Sequence, residues 1–193
     1  MLEQLLNLDR ELFSRINGLH YAVLDEVMYW ASDRFIWIPF YIWLLYLVIK
    51  HHHKEVKFIL PSIALMILIS DQLSVFVKNS VMRLRPCHDA YFADTIHLVK
   101  NTCGGSYGFV SSHATNTMSL ALFLCLLLPK ELRVIKVVLI VWSLLVSYSR
   151  VYLGAHFPGD ILGGWMIGGL AALFSYQLYS LVKKKLATKE LRH

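Results

Sequence analysis

Residues 58–86 read FILPSIALMILISDQLSVFVKNSVMRLRP. An apolar run of about twenty residues ends in Lys78, and the cationic stretch that follows closes on Arg85 and Pro86. A bilayer core needs about 20 helical residues, so the run has the length of a spanning helix. Ionisable groups at the edge of such a run are expensive to keep and read as functional. The expected fold follows from this segment: an all-α, polytopic membrane helix bundle. Only helices or closed barrels satisfy their backbone in lipid, and the run is too long for a barrel strand.

The rest of the chain agrees. Of 193 residues, 56% are hydrophobic, and the mean hydropathy is +0.52. Five spans are expected, over about 35–49, 58–77 (continuing as helix to near Leu84), 109–128, 134–152 and 161–182. Residues 21–33 are mixed in polarity and suit an interfacial or re-entrant helix. The N-terminus shows no basic start followed by an apolar run, so no cleavable signal peptide is expected. Leu2, Leu5, Leu6, Leu12, Phe13 and Ile16 fall on one helical face. That face fits a helix lying at the membrane surface, or equally one packed on the bundle. The expected organisation is one domain, with interfacial helices over 1–33, a transmembrane bundle over 34–186 and a cytoplasmic tail over 187–193.

Charge orients the bundle. Lys50, Lys54, Lys57, Lys130, Arg133, Lys136, Lys183, Lys184, Lys185, Lys189 and Arg192 gather at one end. The other end holds Arg10, Arg15, Arg34, Arg83 and Lys100. The richer end is expected to face the cytoplasm. The net charge of +6 does not indicate nucleic acid, because the cations flank apolar segments and form no continuous basic face. His51, His52 and His53 stand together without a second ligand cluster, so no metal site is assigned to them. Cys87 and Cys103 bracket the loop after the second span. On the external side they are expected to form a disulfide, worth about 3 kcal/mol in the chain-entropy model. Cys125 reads as a buried small residue.

Two further stretches carry chemistry. VSSHATN (110–116) opens an apolar helix after a glycine-rich loop. Free N–H groups at a helix start attract anions. Ser111 and Ser112 suit a cap or a phosphate contact, and His113 suits a proton donor to a leaving alkoxide. SRVYLGAHFPGD (149–160) carries Arg150, His156 and Asp160 around a turn. A carboxylate bonded to one imidazole nitrogen fixes the tautomer and frees the other nitrogen to attack. Lys78 and Arg85, seven residues apart, are expected on one face of a continuous helix that Pro86 ends. Each stretch also has a structural reading: headgroup anchors, an N-cap with an interfacial histidine, or a structural ion pair. If the spans alternate, all three stretches reach the same external side. Three cations there suit the charge of a phosphoryl group, and phosphoryl transfer needs mainly such positioning. No carboxylates cluster to hold magnesium, so a metal-independent, cofactor-free reaction is expected.

These residues resemble the signature of the type 2 phosphatidic acid phosphatase superfamily, which also includes vanadium haloperoxidases. That family shows K-x6-R-P, then P-S-G-H, then S-R-x5-H-x3-D. Lys78, Arg85 and Pro86 match the first, and Ser149, Arg150, His156 and Asp160 the third. In the second, Ser111 and His113 fit, but Val110 replaces the usual proline and Ser112 the glycine. The resemblance implies that His156 forms a phosphohistidine and that Asp160 orients it. His113 protonates the leaving group and later helps activate water. Lys78, Arg85, Arg150 and the Ser111–Ser112 backbone hold the phosphoryl oxygens. It further implies a lipid phosphate or pyrophosphate substrate, with undecaprenyl pyrophosphate favoured over phosphatidylglycerol phosphate, phosphatidic acid and lipid A. The expected setting is the bacterial inner membrane, with the site facing outward and the chain a monomer or homodimer among membrane lipids. A phosphotransferase using the same intermediate, and a non-catalytic lipid-phosphate carrier, are the competing functions.

Overall fold

The structure, a computed structural model, describes residues 1–100 and 102–190, with side chains through Lys185. Seven α-helices follow in order: α1 (Leu2–Gly18), α2 (Ala22–Ser32), α3 (Ile38–His52), α4 (Val56–Val81), α5 (Ser112–Leu127), α6 (Arg133–Tyr152) and α7 (Pro158–Glu190). Among the described residues there are no named strands, only an isolated bridge between Leu84 and Tyr107. Among the described residues, three helical stretches are long and apolar enough to cross a bilayer: Val56–Val81, Lys130–Tyr152 and Pro158–Lys185. Helix α5 is apolar but has 16 residues. Helix α3 has 15. Both are shorter than a full hydrocarbon crossing. Of the expected tail, residues 187–190 continue α7 as backbone. Residues 191–193, and the side chains of Lys189 and Arg192, lie outside the described residues.

Helices α4, α5, α6 and α7 form the bundle, with α5 packed against the other three. Small residues bring α5 and α7 close. A Cβ added to Gly168 would lie 2.3 Å from the Thr115 carbonyl oxygen, and one on Gly164 would lie 2.8 Å from that of Ser111. The G-x-x-x-G step therefore serves contact inside the chain. Toward the cation-rich end, Leu47, Ile59, Met66, Phe123, Leu124, Leu139 and Tyr179 make an apolar core. There Glu55 pairs with Lys183 at 2.8 Å and accepts a hydrogen bond from Tyr179.

The opposite end is built differently. Helix α4 stops at Val81, where Met82 takes a left-handed conformation (φ 50°). The chain then runs extended through Arg85 (φ −70°, ψ 156°). The expected helix through Leu84 is thus corrected: the left-handed residue breaks it before Pro86, whose ring also disfavours a helical residue before it. Cys87 and Cys103 are joined as a disulfide, with Cα atoms 5.9 Å apart. Helix α1 is packed on the protein rather than lying free. Phe13 is buried against Phe92 and Phe157. Burying such a ring contributes about 1.5–3 kcal/mol. Buried Asn17 donates to the carbonyls of His97 and Tyr152, each at 2.8 Å. Leu2, Leu5, Leu6 and Leu12 remain exposed on its outer side.

Candidate active site

The turn between α6 and α7 is set by its backbone. Gly154 adopts φ +77°, a conformation open to glycine at little cost. The N–H groups of Ala155 and His156 then fold back to donate to the Arg150 carbonyl, at 3.0 and 3.2 Å. This ties the histidine's backbone to the residue that begins the turn. Pro158 opens α7 and places Asp160 in its first turn. His156 is 2% exposed and Asp160 0%.

His156 is held at both ring nitrogens. Its Nδ1 lies 3.3 Å from Asp160 Oδ2, which also accepts the Phe157 N–H at 3.0 Å. Its Nε2 lies 3.0 Å from Nη1 of Arg85. The carboxylate at Nδ1 favours the tautomer with the proton there, which leaves the Nε2 lone pair facing the guanidinium. Burial first, then the charges of Arg85, Arg150 and Lys78, push the His156 pKa well below its ordinary value of 6.5. The ring is therefore neutral at pH 7, the state a nucleophile requires.

The three cations arrive from three directions. Arg85 comes from the extended exit of α4, and its guanidinium also donates to the carbonyls of Tyr107 and Ala155, each at 3.2 Å. Lys78 remains on α4 and donates to Ser112 Oγ at 3.1 Å. Arg150 comes from the last turn of α6 and donates to Ser32 Oγ. Its Nε is buried without a hydrogen-bond partner. Lys78 and Arg85 thus converge without sharing a helical face, which corrects the two-turn reading of their spacing.

The start of α5 completes the site. Ser111 caps the helix through the Ala114 N–H (3.5 Å). The Ser111 N–H donates to the Asp160 carbonyl at 3.0 Å. The N–H and the hydroxyl of Ser111 are therefore engaged within the protein, and the first helical N–H groups, those of Ser112 and His113, are the ones left at the helix start. Ser112 Oγ joins Lys78 to Ser74 Oγ, 2.7 Å away. The hydroxyl that replaces the family's glycine thus orients the lysine. His113 lines a cavity of about 470 Å³ with Arg34, Asp71, Ser112, Asn116 and Trp142 among its walls. All eight expected site residues are drawn into one connected region.

Several participants escape the spacing of the motifs. Gly108 is one: a Cβ there would lie 2.8 Å from Asp160 Oδ2 and 3.2 Å from Arg85 Cγ. Ser74 bonds Ser112, which in turn accepts from Lys78, and Ser32 accepts from Arg150. Arg83 donates to Asp160 Oδ1 at 3.0 Å, although the charge pattern counts it only as a loop cation. The sequence offered only the closeness of Arg83 to Arg85, because the extended run that turns them to the two sides of Asp160 and His156 was not expected. It offered nothing for Ser32.

Comparison with known proteins gives the chain a family. Residues 60–184 match the model of the PAP2 superfamily. The chain belongs to that superfamily. It is 36% identical over 179 residues to the lipid A 4′-phosphatase of Bacteroides thetaiotaomicron, covering 91% of this chain and 79% of that one. It is 30% identical over 181 residues to the undecaprenyl-diphosphatase of Sulfolobus acidocaldarius, covering 92% and 82%. Its fold is similar to the crystal structure of Aquifex aeolicus LpxE, with a TM-score of 0.68 and 24% identity over 88% of this chain and 95% of that one. The PAP2 motifs quoted above all lie within the matched residues. The protein is a membrane phosphatase of the PAP2 superfamily.

Proposed function

We propose that this PAP2 protein hydrolyses a lipid phosphate through a covalent phosphohistidine on His156. One observation carries the reading: a neutral, buried imidazole with Nδ1 on a carboxylate and Nε2 3.0 Å from a guanidinium. Nε2 attacks phosphorus, and the bond from phosphorus to the lipid oxygen breaks. His113 gives its proton to that departing oxygen. Water then attacks the phosphohistidine while His113 takes a proton from it. The N–P bond breaks, inorganic phosphate leaves and His156 is restored. Asp160 holds the ring throughout. Arg85, Arg150, Lys78 and the N–H groups at the start of α5 neutralise the charge on the phosphoryl oxygens, the task that metal ions perform in many phosphoryl-transfer enzymes.

The groove beside His113 has mostly apolar walls, among them Ile67, Leu120 and Trp142, with a few polar groups set into them. Arg34, Asp71 and Asn116 line it, and Asn116 donates to Asp71 at 3.3 Å. Such groups can pair with the hydroxyls of a phosphorylated sugar, as in lipid A. A bare polyprenyl chain would make no use of them, whereas a sugar hydroxyl could join the Asn116–Asp71 pair. The relative matched at 36% identity bears the name of a lipid A 4′-phosphatase. Undecaprenyl pyrophosphate, favoured from the sequence, is the second reading, supported by the relative matched at 30%. The clusters at 50–57, 130–136 and 183–185 support a cytoplasmic end opposite the site, which then faces the outside of a bacterial inner membrane.

The test is phosphate release by the purified chain in detergent, with EDTA present. The panel holds lipid A, undecaprenyl pyrophosphate, phosphatidylglycerol phosphate and phosphatidic acid. Turnover that survives the chelator and is greatest on lipid A is expected. Activity lost to EDTA would overturn the metal-free mechanism. Transfer of phosphate to an added alcohol in place of release would favour the phosphotransferase.

A further inference from the structure

Asp160 has two oxygens, and the histidine uses only one of them. Oδ2 takes His156 Nδ1 and the Phe157 N–H. Oδ1 takes Nη1 of Arg83 at 3.0 Å. The other amino group of Arg83, Nη2, donates to Asp9 Oδ2 at 2.7 Å. Asp9 lies on α1, and its second oxygen, Oδ1, accepts the Gly159 N–H at 2.7 Å. Gly159 is bonded to Asp160, so the four residues close a ring: Asp160, Arg83, Asp9, Gly159.

This ring is shielded and fixed from several sides. The side chains are 18% exposed for Arg83, 13% for Asp9 and 0% for Asp160. The Arg83 guanidinium lies over the Phe157 ring, 4.0 Å from its centroid. The Arg83 carbonyl accepts the Gly108 N–H at 2.8 Å. A Cβ on Gly159 would lie 2.8 Å from Asp9 Oδ2, so the close approach of α1 needs glycine there. Phe13, one turn further along α1, is buried against the same Phe157.

We propose that Arg83 and Asp9 are positioning residues for the phosphatase reaction, and that α1 is thereby part of the active site. Arg83 keeps Asp160 turned so that Oδ2 meets His156. Asp9 keeps the Arg83 fork in plane, because a guanidinium with both amino groups engaged cannot rotate away. Neither residue reaches the phosphoryl group; both act through Asp160. Without Arg83 the carboxylate would be held at Oδ2 alone, by His156 and the Phe157 N–H, and could pivot about that oxygen and loosen its grip on the imidazole. The bridge also explains why a helix with an exposed leucine face carries a half-buried aspartate on its other side.

The inference rests on the phosphohistidine reading, and its test separates the two. The full chain is purified in detergent as wild type, Asp9→Asn, Arg83→Gln, Arg83→Lys, the Asp9→Asn/Arg83→Gln double variant and His156→Gln. Each is assayed for kcat and KM on the best lipid phosphate, inhibition by inorganic phosphate and thermal unfolding. Asp9→Asn and Arg83→Gln are expected to lower kcat by about tenfold or more, by analogy with the loss when partners that orient metal-bound histidines are removed. KM and the phosphate inhibition constant stay within about twofold, because ground-state binding is untouched. The double variant loses little more than Arg83→Gln alone, as members of one unit do. Arg83→Lys recovers part of the loss. Wild-type kcat in Asp9→Asn and Arg83→Gln, with His156→Gln inactive, would overturn this inference and leave the parent reading standing. Turnover by His156→Gln would overturn the parent reading itself. If Arg83→Gln fails to fold, the near-isosteric Asp9→Asn decides alone: unchanged kcat in folded protein rejects the role of α1.

Discussion

The two outer motifs reach the same site by different routes. From Arg150 to Asp160 the chain does what its residue types suggest: α6 ends at Tyr152, Gly154 turns it with φ +77°, and α7 begins at Pro158. From Lys78 to Arg85 it does not. Seven residues look like two helical turns, yet the helix breaks at Met82 and Arg85 arrives on extended chain. A fixed spacing between functional residues therefore records where their ends must meet, and several backbone paths satisfy it. The broken path has a use. It sends Lys78 to Ser112, Arg85 to His156 and Arg83 to the far side of Asp160. A straight helix could not aim Arg83 and Arg85 at opposite flanks of one histidine–carboxylate pair.

The comparison is broken most severely at Arg85. Arg85→Ala removes the group that faces Nε2, and kcat is expected to fall by about 10²–10³-fold, the scale of losing one preorganised donor to developing charge. Arg85→Lys recovers little, because an ammonium cannot serve the Tyr107 and Ala155 carbonyls and a phosphoryl oxygen with the same fork. Steady-state kinetics on folded protein would show this. Near-wild-type turnover in Arg85→Lys would mean that the extended exit contributes only charge.

A smaller effect is expected at Gly108, where the two routes touch. A methyl group there presses on Asp160 Oδ2 and the Arg85 side chain together. Gly108→Ala is expected to reduce kcat by up to about 10²-fold, since displacements near 1 Å are enough to do so. Thermal unfolding should change far less than kcat. A large loss of stability with normal kcat in the surviving enzyme would make the glycine structural.

Met82 sharpens the comparison through its sign. In a helix interior, Met82→Gly would destabilise by about 1 kcal/mol. At a left-handed position it relieves a cost of about 1–2 kcal/mol and should be neutral or stabilising. Denaturation of the two proteins in the same detergent distinguishes these outcomes, and destabilisation would restore the continuous helix.

Much of the site was legible because its residue types are costly in an apolar setting. Arg150, His156 and Asp160 stand out within a run that otherwise suits lipid, and the helix ends around them are marked by glycine and proline. What was not legible depends on distant partners. Ser32 and Ser74 are ordinary residues until the fold brings them to Arg150 and Ser112. Asp9 looks like a surface acid on an amphipathic helix, and only the packing of Phe13 turns it inward. The helical character of α3–α7 was plain from apolar runs. Their bounds were less so: α5 is shorter than the run that suggested it, because Ser111 caps it, and α3 starts later than expected, with Pro39 in its first turn. The break at Met82 had no local cue, since methionine is a good helix former.

The most direct measurement is to trap the intermediate. Lipid substrate labelled in its phosphate is mixed with the enzyme, the reaction is quenched in base within the first turnover, and the labelled peptide is mapped. The label should sit on His156, be lost in acid and be absent from His156→Gln. Full turnover with no labelled histidine, or with the label on His113, would contradict nucleophilic attack by His156.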